Sequence, residues 1–279
     1  MSGIPPGTAR SFLKWAGGKT RYAAALARLA PPYTGRYWEP FMGSAALFFE
    51  LAPRAAVLAD ANEELVACFQ EVAEHPYDVM EELERMPNTR DYYGRARGAD
   101  TRELGRAARA ARVIYLNKTG FRGLWRVNRK GEFNVPYGQY ERPYYNAETL
   151  LCASRALASA EIRLADYSEC LAGAAVGDWV YLDPPYVPLG GHADFKRYTP
   201  GQFHEEDHRN LARLMREASD RGVYIMLTNA DTPLAREIFA GFAFLELSTR
   251  RDINLQSSRR ASSDLVVSNY LGSPAVHRS

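Results

Sequence analysis

Asp183-Pro184-Pro185-Tyr186 sets an acid, two residues without a backbone N–H and an aromatic ring in direct succession. The preceding Trp179-Val180-Tyr181-Leu182 is an apolar run of strand length. Neither proline can donate to a sheet ladder, so the chain must leave the sheet right after the acid. An aspartate at the carboxyl end of a strand sits where open α/β sheets bind ligands. Its carboxylate and the proline-bound carbonyls offer acceptors only, and Tyr186 adds a flat face. Such a corner suits a planar molecule that carries an N–H₂ group.

Three further groups could do chemistry. In Phe12-Leu13-Lys14-Trp15-Ala16-Gly17-Gly18-Lys19 the paired glycines allow close backbone approach, and Lys19 stands where a helix starts, placed for a carboxylate or phosphate. A helix-start turn explains the same residues equally well. Gly18-Lys19-Thr20 is not a P-loop, because that motif needs a glycine where Leu13 stands. Glu39-Pro40-Phe41-Met42-Gly43-Ser44 follows a first short strand, where an open α/β sheet forms one wall of a cofactor cleft. Asp60 ends a second strand, the position of an acid that holds ribose hydroxyls; it reads equally as a cap for the next helix.

Asn117 to Gly131 interleaves cations, amides and aromatics: Lys118, Phe121, Arg122, Leu124, Trp125, Arg126, Asn128, Arg129 and Lys130. Arginine reaches guanine edges, lysine binds phosphate, and Phe or Trp can wedge between bases. Exposed Phe, Leu and Trp are poor choices for a merely solvated hairpin, so contact with DNA is the better reading. Charge supports it. Arg90 to Lys130 holds twelve Lys/Arg and three Asp/Glu, a balance of +9 in a chain whose net charge is +2. The arginines from Arg102 to Arg112, taken alone, read as a solvated helix face.

His204-Glu205-Glu206-Asp207-His208 matches H-E-x-x-H literally. The segment opens a helix, looks polar throughout and lacks a third-ligand motif, so it reads as a solvated, acidic first turn rather than a zinc site. No metal is expected. Cys68, Cys152 and Cys170 form no C-x-x-C pair, which argues against a disulfide framework or a cysteine zinc site. Cys68 and Cys152 lie in apolar helical patterns and are expected as buried thiols. The start of the chain lacks a secretory apolar region, and no stretch is long enough to span a bilayer, so a cytoplasmic protein is expected; a monomer in solution is expected as well.

Strands are expected at Arg36–Trp38, Ala55–Leu58, Ile162–Leu164, Trp179–Leu182, Val223–Thr228, Phe242–Leu247 and Leu265–Ser268. Helices are expected at Thr20–Leu29, Ala45–Leu51, Asn62–Val72, Tyr77–Arg85, Thr101–Leu116, Asn146–Leu157 and Glu205–Ala218. Strands alternating with helices imply a mainly parallel, twisted sheet. With 46% hydrophobic residues in 279, the chain can core one large domain with a smaller addition. Residues 1–62 and 146–279 read as the α/β body, and 63–145 as an insertion of helices and a hairpin. Gly272 to Ser279 reads as a loose tail.

Phe12 to Lys19, Glu39-Pro40-Phe41-x-Gly43, Gly131-Glu132-Phe133-Asn134-Val135-Pro136-Tyr137-Gly138 and Asp183-Pro184-Pro185-Tyr186 together resemble the Dam-type DNA adenine N6-methyltransferases, in order, from about Phe12 to Tyr270. The resemblance implies a Rossmann-like S-adenosylmethionine-dependent sheet with an inserted DNA-recognition domain. It implies Trp15 and Lys19 at the methionine end of the cofactor, Phe41 and Gly43 beneath it, Asp60 at the ribose, Asp166 at the adenine ring and Asp183 beside the methyl. Many relatives carry glycine where this chain has Ala45, so a shifted contact is expected there. Asp183, Pro184 and Tyr186 would hold an adenine flipped out of double-stranded DNA. Val187 to Tyr198 resembles the loop that closes over that base.

Lys14, Phe121, Arg122, Leu124, Trp125, Arg126, Asn128 and Arg129 would face DNA. Leu124 and Arg126 fall where GATC-specific relatives carry a leucine and an arginine, which makes GATC the expected site; Arg122 and Trp125 depart from the best-known members. Other readings of the corner are an rRNA guanine N2-methyltransferase, a cytosine N4-methyltransferase and a catalytically silent DNA-binding regulator. The hairpin before the corner argues against the first, the Phe12–Lys19 motif against the second, and an intact Asp183 and Tyr186 against the third.

Overall fold

The computed structural model describes residues 9–15, 19–128, 131–141, 143–187, 203–247 and 264–272. Tyr37–Glu39 (β1), Ala56–Asp60 (β2), Ala160–Leu164 (β3), Trp179–Leu182 (β4), Tyr224–Ala230 (β5), Ala243–Leu247 (β6) and Asp264–Ser268 (β7) form one sheet, ordered β3-β2-β1-β4-β5-β7-β6. The first five strands pair in parallel, and β7 runs antiparallel between β5 and β6. Strand order reverses between β1 and β4. The carboxyl ends of those two strands therefore flank the crevice in which such sheets bind ligands.

The helices among the described residues are Ala23–Ala27 (α1), Ala46–Leu51 (α2), Glu63–Glu74 (α3), Pro76–Glu84 (α4), Arg90–Gly98 (α5), Arg106–Thr119 (α6), Ala147–Leu157 (α7), Tyr167–Gly173 (α8), Glu205–Asp220 (α9) and Pro233–Ile238 (α10). Local chemistry fixes their starts. Asn62 caps α3 by accepting from Leu65 N, Asn146 caps α7 at Thr149 N, and Thr232 caps α10 at Ala235 N, with Pro233 in the first turn.

Alternate strand residues bury opposite faces. Tyr37, Leu58, Trp179, Tyr181, Met226 and Val266 join one apolar cluster with α2, α3, α4, α6 and α7. Trp38, Val57, Val180, Leu182, Leu227 and Val267 join another with α8, α9 and α10. Both faces of β1, β2, β4 and β5 are covered, which is why those strands read largely as apolar runs rather than alternations, whereas the edge strand β3 is partly exposed. At the base of the switch point, buried Asp178 accepts from Arg36 N at 2.7 Å and Trp38 Nε1 at 2.8 Å, locking β1 to β4.

Four expectations need correction. The helix expected over Thr101–Leu116 is a 3-10 turn at Thr101–Glu103 followed by α6; extended Leu104 and Gly105 break it, and α6 runs on to Thr119. The arginines there do not form a solvated face. Arg106 pairs with Glu71 and Glu74, Arg109 with Glu63 and Glu64, and buried Arg112 donates to the carbonyls of Ala96 and Arg97. Much of the local positive charge is therefore spent on binding α6 to α3 and α5. The first turn of α9 is not polar throughout either, because His208 is buried between Phe203 and the sheet-facing side of the helix. Finally, Trp125 is buried rather than exposed. All three cysteines are free and buried, and no helix of the described residues is long and apolar enough to cross a membrane.

Candidate active site

Asp183 leaves β4 at the switch point, and three elements converge on it. Thr228 of β5 donates its hydroxyl to Asp183 Oδ1 at 2.7 Å. Lys19, in a 3-10 turn ahead of α1, brings Nζ to 2.7 Å from Oδ1 and 2.9 Å from Oδ2. The same ammonium stands 4.7 Å from the centroid of the Tyr186 ring. Tyr186 is fixed at its far end, where its hydroxyl donates to Asp264 at 3.2 Å. Pro184 is buried, and the corner closes where Val187 N donates to Asn229 Oδ1 at 2.9 Å. A carboxylate and an aromatic face thus meet at one crevice.

Glu39 ends β1 on the other side of the switch point and is only 3% exposed. Burial pushes its carboxyl up to about 8, the hydroxyl of Tyr37 donates to it at 2.8 Å and opposes the shift, and the charge of Asp183 adds to it. A protonated, neutral Glu39 beside an ionic Asp183 keeps two carboxylates at the crevice from repelling each other.

The loop after β1 is tightly built. Gly43 is buried with φ +46°, and a Cβ there would stand 2.8 Å from Trp15 Cδ1. Only glycine meets both demands without strain. Ala45, also buried, holds φ +50°, a left-handed conformation in which glycine would be free of the steric cost. Asp60 accepts from Gly43 N at 3.2 Å and Asn62 N at 3.0 Å, so it braces this loop while Asn62 itself caps α3. Burial raises the Asp60 carboxyl to about 6 against those N–H donors. Phe41 stacks on Tyr167 with ring centroids 5.5 Å apart. Asp166 is exposed and forms a capping box with Glu169 at the start of α8.

The hairpin joins this crevice through the N-terminal segment. Buried Asn117 accepts from Lys14 N at 2.9 Å and donates to Lys14 O at 2.6 Å and Gly123 O at 3.3 Å. The Lys14 stem lies against Gly123, where a Cβ would come within 2.7 Å of it. Trp15 stacks on Trp125 at 5.9 Å and 20°, and Trp125 packs on Phe133 at 4.9 Å. Antiparallel bridges at Gly120–Tyr137 and Val127–Phe133 shape the hairpin. Phe121 and Arg122 are exposed in the 3-10 turn Phe121–Gly123 that leads from α6 into it, with the Arg122 guanidinium 5.2 Å from the Phe121 ring. Leu124 is half-buried; Arg126 donates to Asn134, and Asn128 to Glu132. Arg129 and most of Val187–Tyr198 lie outside the described residues.

Sequence reasoning passed over Glu39, Thr228, Asn229 and Asp264 as contacts of the corner. Thr228 and Asn229 carried a signal: two polar residues at the carboxyl end of an apolar strand, where ligands bind. Among the described residues no group of three or more His, Cys, Asp or Glu is arranged to hold a metal.

The model of the D12 class N6 adenine-specific DNA methyltransferase family matches residues 15–253. The chain is 35% identical over 271 residues to the type II methyltransferase M1.LlaDCHI of Lactococcus lactis subsp. cremoris, covering 94% of this chain and 95% of that one. It is 30% identical to the type II methyltransferase M.MjaIII of Methanocaldococcus jannaschii, with 94% and 99% covered. It is 32% identical to the DNA adenine methylase of Haemophilus influenzae, with 90% of each chain covered.

Proposed function

The chain belongs to the D12 class N6 adenine-specific DNA methyltransferase family, and we propose that it transfers the methyl group of S-adenosylmethionine to an adenine flipped out of double-stranded DNA at the Asp183 corner. The observation that carries this is the Asp183 carboxylate at the switch point, bounded by buried Pro184 and by a Tyr186 ring anchored at its hydroxyl. An adenine amino nitrogen shares its lone pair with the ring and is a weak nucleophile. N–H bonds accepted by Asp183 and by the Pro184 carbonyl favour a more pyramidal, electron-rich nitrogen. Tyr186 stacks on the base and fixes its plane, so the remaining demand is alignment. Bound S-adenosylmethionine supplies an electrophilic methyl on a sulfonium.

The crevice fits such a cofactor. Asp60 uses one lone pair of each oxygen on backbone N–H groups, which leaves acceptor capacity for a ribose diol. Gly43 leaves a cradle that a Cβ would fill against Trp15. In our reading Trp15 and Lys19 hold the methionine end, Phe41 and Gly43 lie beneath, and Asp166 meets the adenine ring. Asp183 is then shared between cofactor and target. Lys19 must leave Asp183 at least in part as the base amino group arrives.

Residues 63–145 form the recognition part and 1–62 with 146–279 the catalytic part. Phe121 and Arg122, exposed where α6 passes into the hairpin, meet the duplex, with Lys14, Leu124, Arg126, Asn128 and Arg129 beside them. Buried Trp125 supports that surface from beneath by stacking on Trp15, instead of touching bases. Leu124 and Arg126 support GATC as the site. A plasmid made in a GATC-unmethylated host expressing this chain is expected to resist a nuclease blocked by GATC methylation. Complete cleavage would overturn GATC, and nucleoside analysis of the same plasmid would report which base was modified.

A further inference from the structure

Thr228 follows Leu227 on β5 as Asp183 follows Leu182 on β4, and Leu182 and Leu227 are register partners. The contact between Thr228 and Asp183 is therefore set by strand pairing and not by the reach of a long side chain. An ionised carboxylate can only accept, so the hydroxyl hydrogen of Thr228 goes to Asp183 Oδ1 over 2.7 Å. The Thr228 oxygen can then only accept from Tyr181, whose hydroxyl lies 3.0 Å away. Thr228 is fully buried and Tyr181 almost so, and a β-branched threonine in a strand has a stiff χ1. The chain Tyr181 to Thr228 to Asp183 is thus ordered in one direction, from core to crevice. Lys19 also touches both carboxylate oxygens, but as a point charge shared between them it does not set one apart from the other.

We propose that Thr228 is a positioning residue: it commits Asp183 Oδ1, fixes the carboxylate plane, and leaves Oδ2 to accept the amino hydrogen of the target base. The inference rests on the reading of Asp183 given above. Its neighbour Asn229 holds the far end of the corner through Val187 N, so adjacent residues of β5 brace both ends.

Thr228→Val keeps the shape and deletes the hydroxyl, and Thr228→Ser restores it. Both are measured beside Asp183→Asn, with kcat normalised to the fraction of protein that binds S-adenosylmethionine. Thr228→Val is expected to lower kcat on the order of 10- to 100-fold with KM for DNA and cofactor affinity within about twofold, and Thr228→Ser to recover most of the loss. A kcat for Thr228→Val within about twofold of wild type, or no recovery in Thr228→Ser, overturns the role of Thr228. If Asp183→Asn is inactive in that case, the reading of Asp183 stands and this inference alone is lost. If Asp183→Asn keeps wild-type kcat, the reading of Asp183 falls and takes the inference with it.

Discussion

Lys19 and Asp183 lie 164 positions apart in the chain, yet Lys19 Nζ stands 2.9 Å from Asp183 Oδ2 and 2.7 Å from Oδ1. The pair joins the N-terminal motif to the corner at the end of β4, with the ammonium over the face of Tyr186. A primary ammonium there occupies the position of a donor between a carboxylate and an aromatic face, the same chemistry as the amino group the corner is proposed to receive. Lys19 is 5% exposed and Asp183 18%, so the pair is well sheltered from solvent.

Removing the cation leaves a sheltered carboxylate without its ionic partner. Lys19→Met is expected to destabilise the protein by about 1–3 kcal/mol in urea unfolding. In a double-mutant cycle with Asp183→Asn the two losses should not add. Strict additivity would mean that the pair contributes nothing.

His208 sets an acid limit to stability. Burial lowers its imidazole to about 4, against the attraction of Asp207 and Glu205, and neither ring nitrogen has a hydrogen-bond partner among the described residues. The neutral form is the one that fits. Stability from this site is complete above the ordinary histidine value of about 6.5 and is lost as pH falls towards 4. Between pH 7.5 and 4.5 the protein should lose about 2–3 kcal/mol here, and His208→Leu should flatten that part of the profile. An unchanged slope in His208→Leu would contradict this.

Glu39 acts in the opposite direction. Its folded-state value of about 8 lies above the ordinary carboxyl value, so the protonated form is the one that fits. That stability is complete below about 4.5 and is lost as pH rises through 8. The loss is on the order of 3 kcal/mol. Glu39→Gln keeps a neutral acceptor for Tyr37 and should remove the alkaline loss in urea melts at pH 5 and pH 8.5. A variant as sensitive as wild type would place the titration elsewhere.

The parts of the fold that could be read in sequence are those that local chemistry dictates. Two prolines after an apolar run locate the end of β4, and Asp60 falls at the end of β2 as its position suggests. The helix Arg90–Gly98 was not legible, because its sequence is mostly arginine, glycine and tyrosine and Tyr93 is its sole buried side chain. The short α8 carried a readable capping box, Asp166 with Glu169, that apolar periodicity alone passes over.

Long-range partners account for the rest. Trp125 sits among cations and glycines and reads as exposed, but it is covered by Trp15 and Phe133. Nothing near Trp125 in sequence announces Trp15. Arginines of α6 read as free charge because their acids lie on α3. Thr228 and Asn229 mark the polar end of an apolar strand, but the partner of Thr228 follows from the pairing of β4 with β5, which no local pattern encodes.

The central claim is that Asp183 holds an adenine for methylation. The direct measurement is transfer of a labelled methyl group from S-adenosylmethionine into unmethylated duplex DNA by wild type and Asp183→Asn, followed by digestion to nucleosides. The account predicts that the label appears in N6-methyladenine with wild type and falls by at least about a hundredfold per cofactor-bound enzyme in Asp183→Asn. Label in cytosine or guanine, or full transfer to adenine without the Asp183 carboxylate, would contradict it.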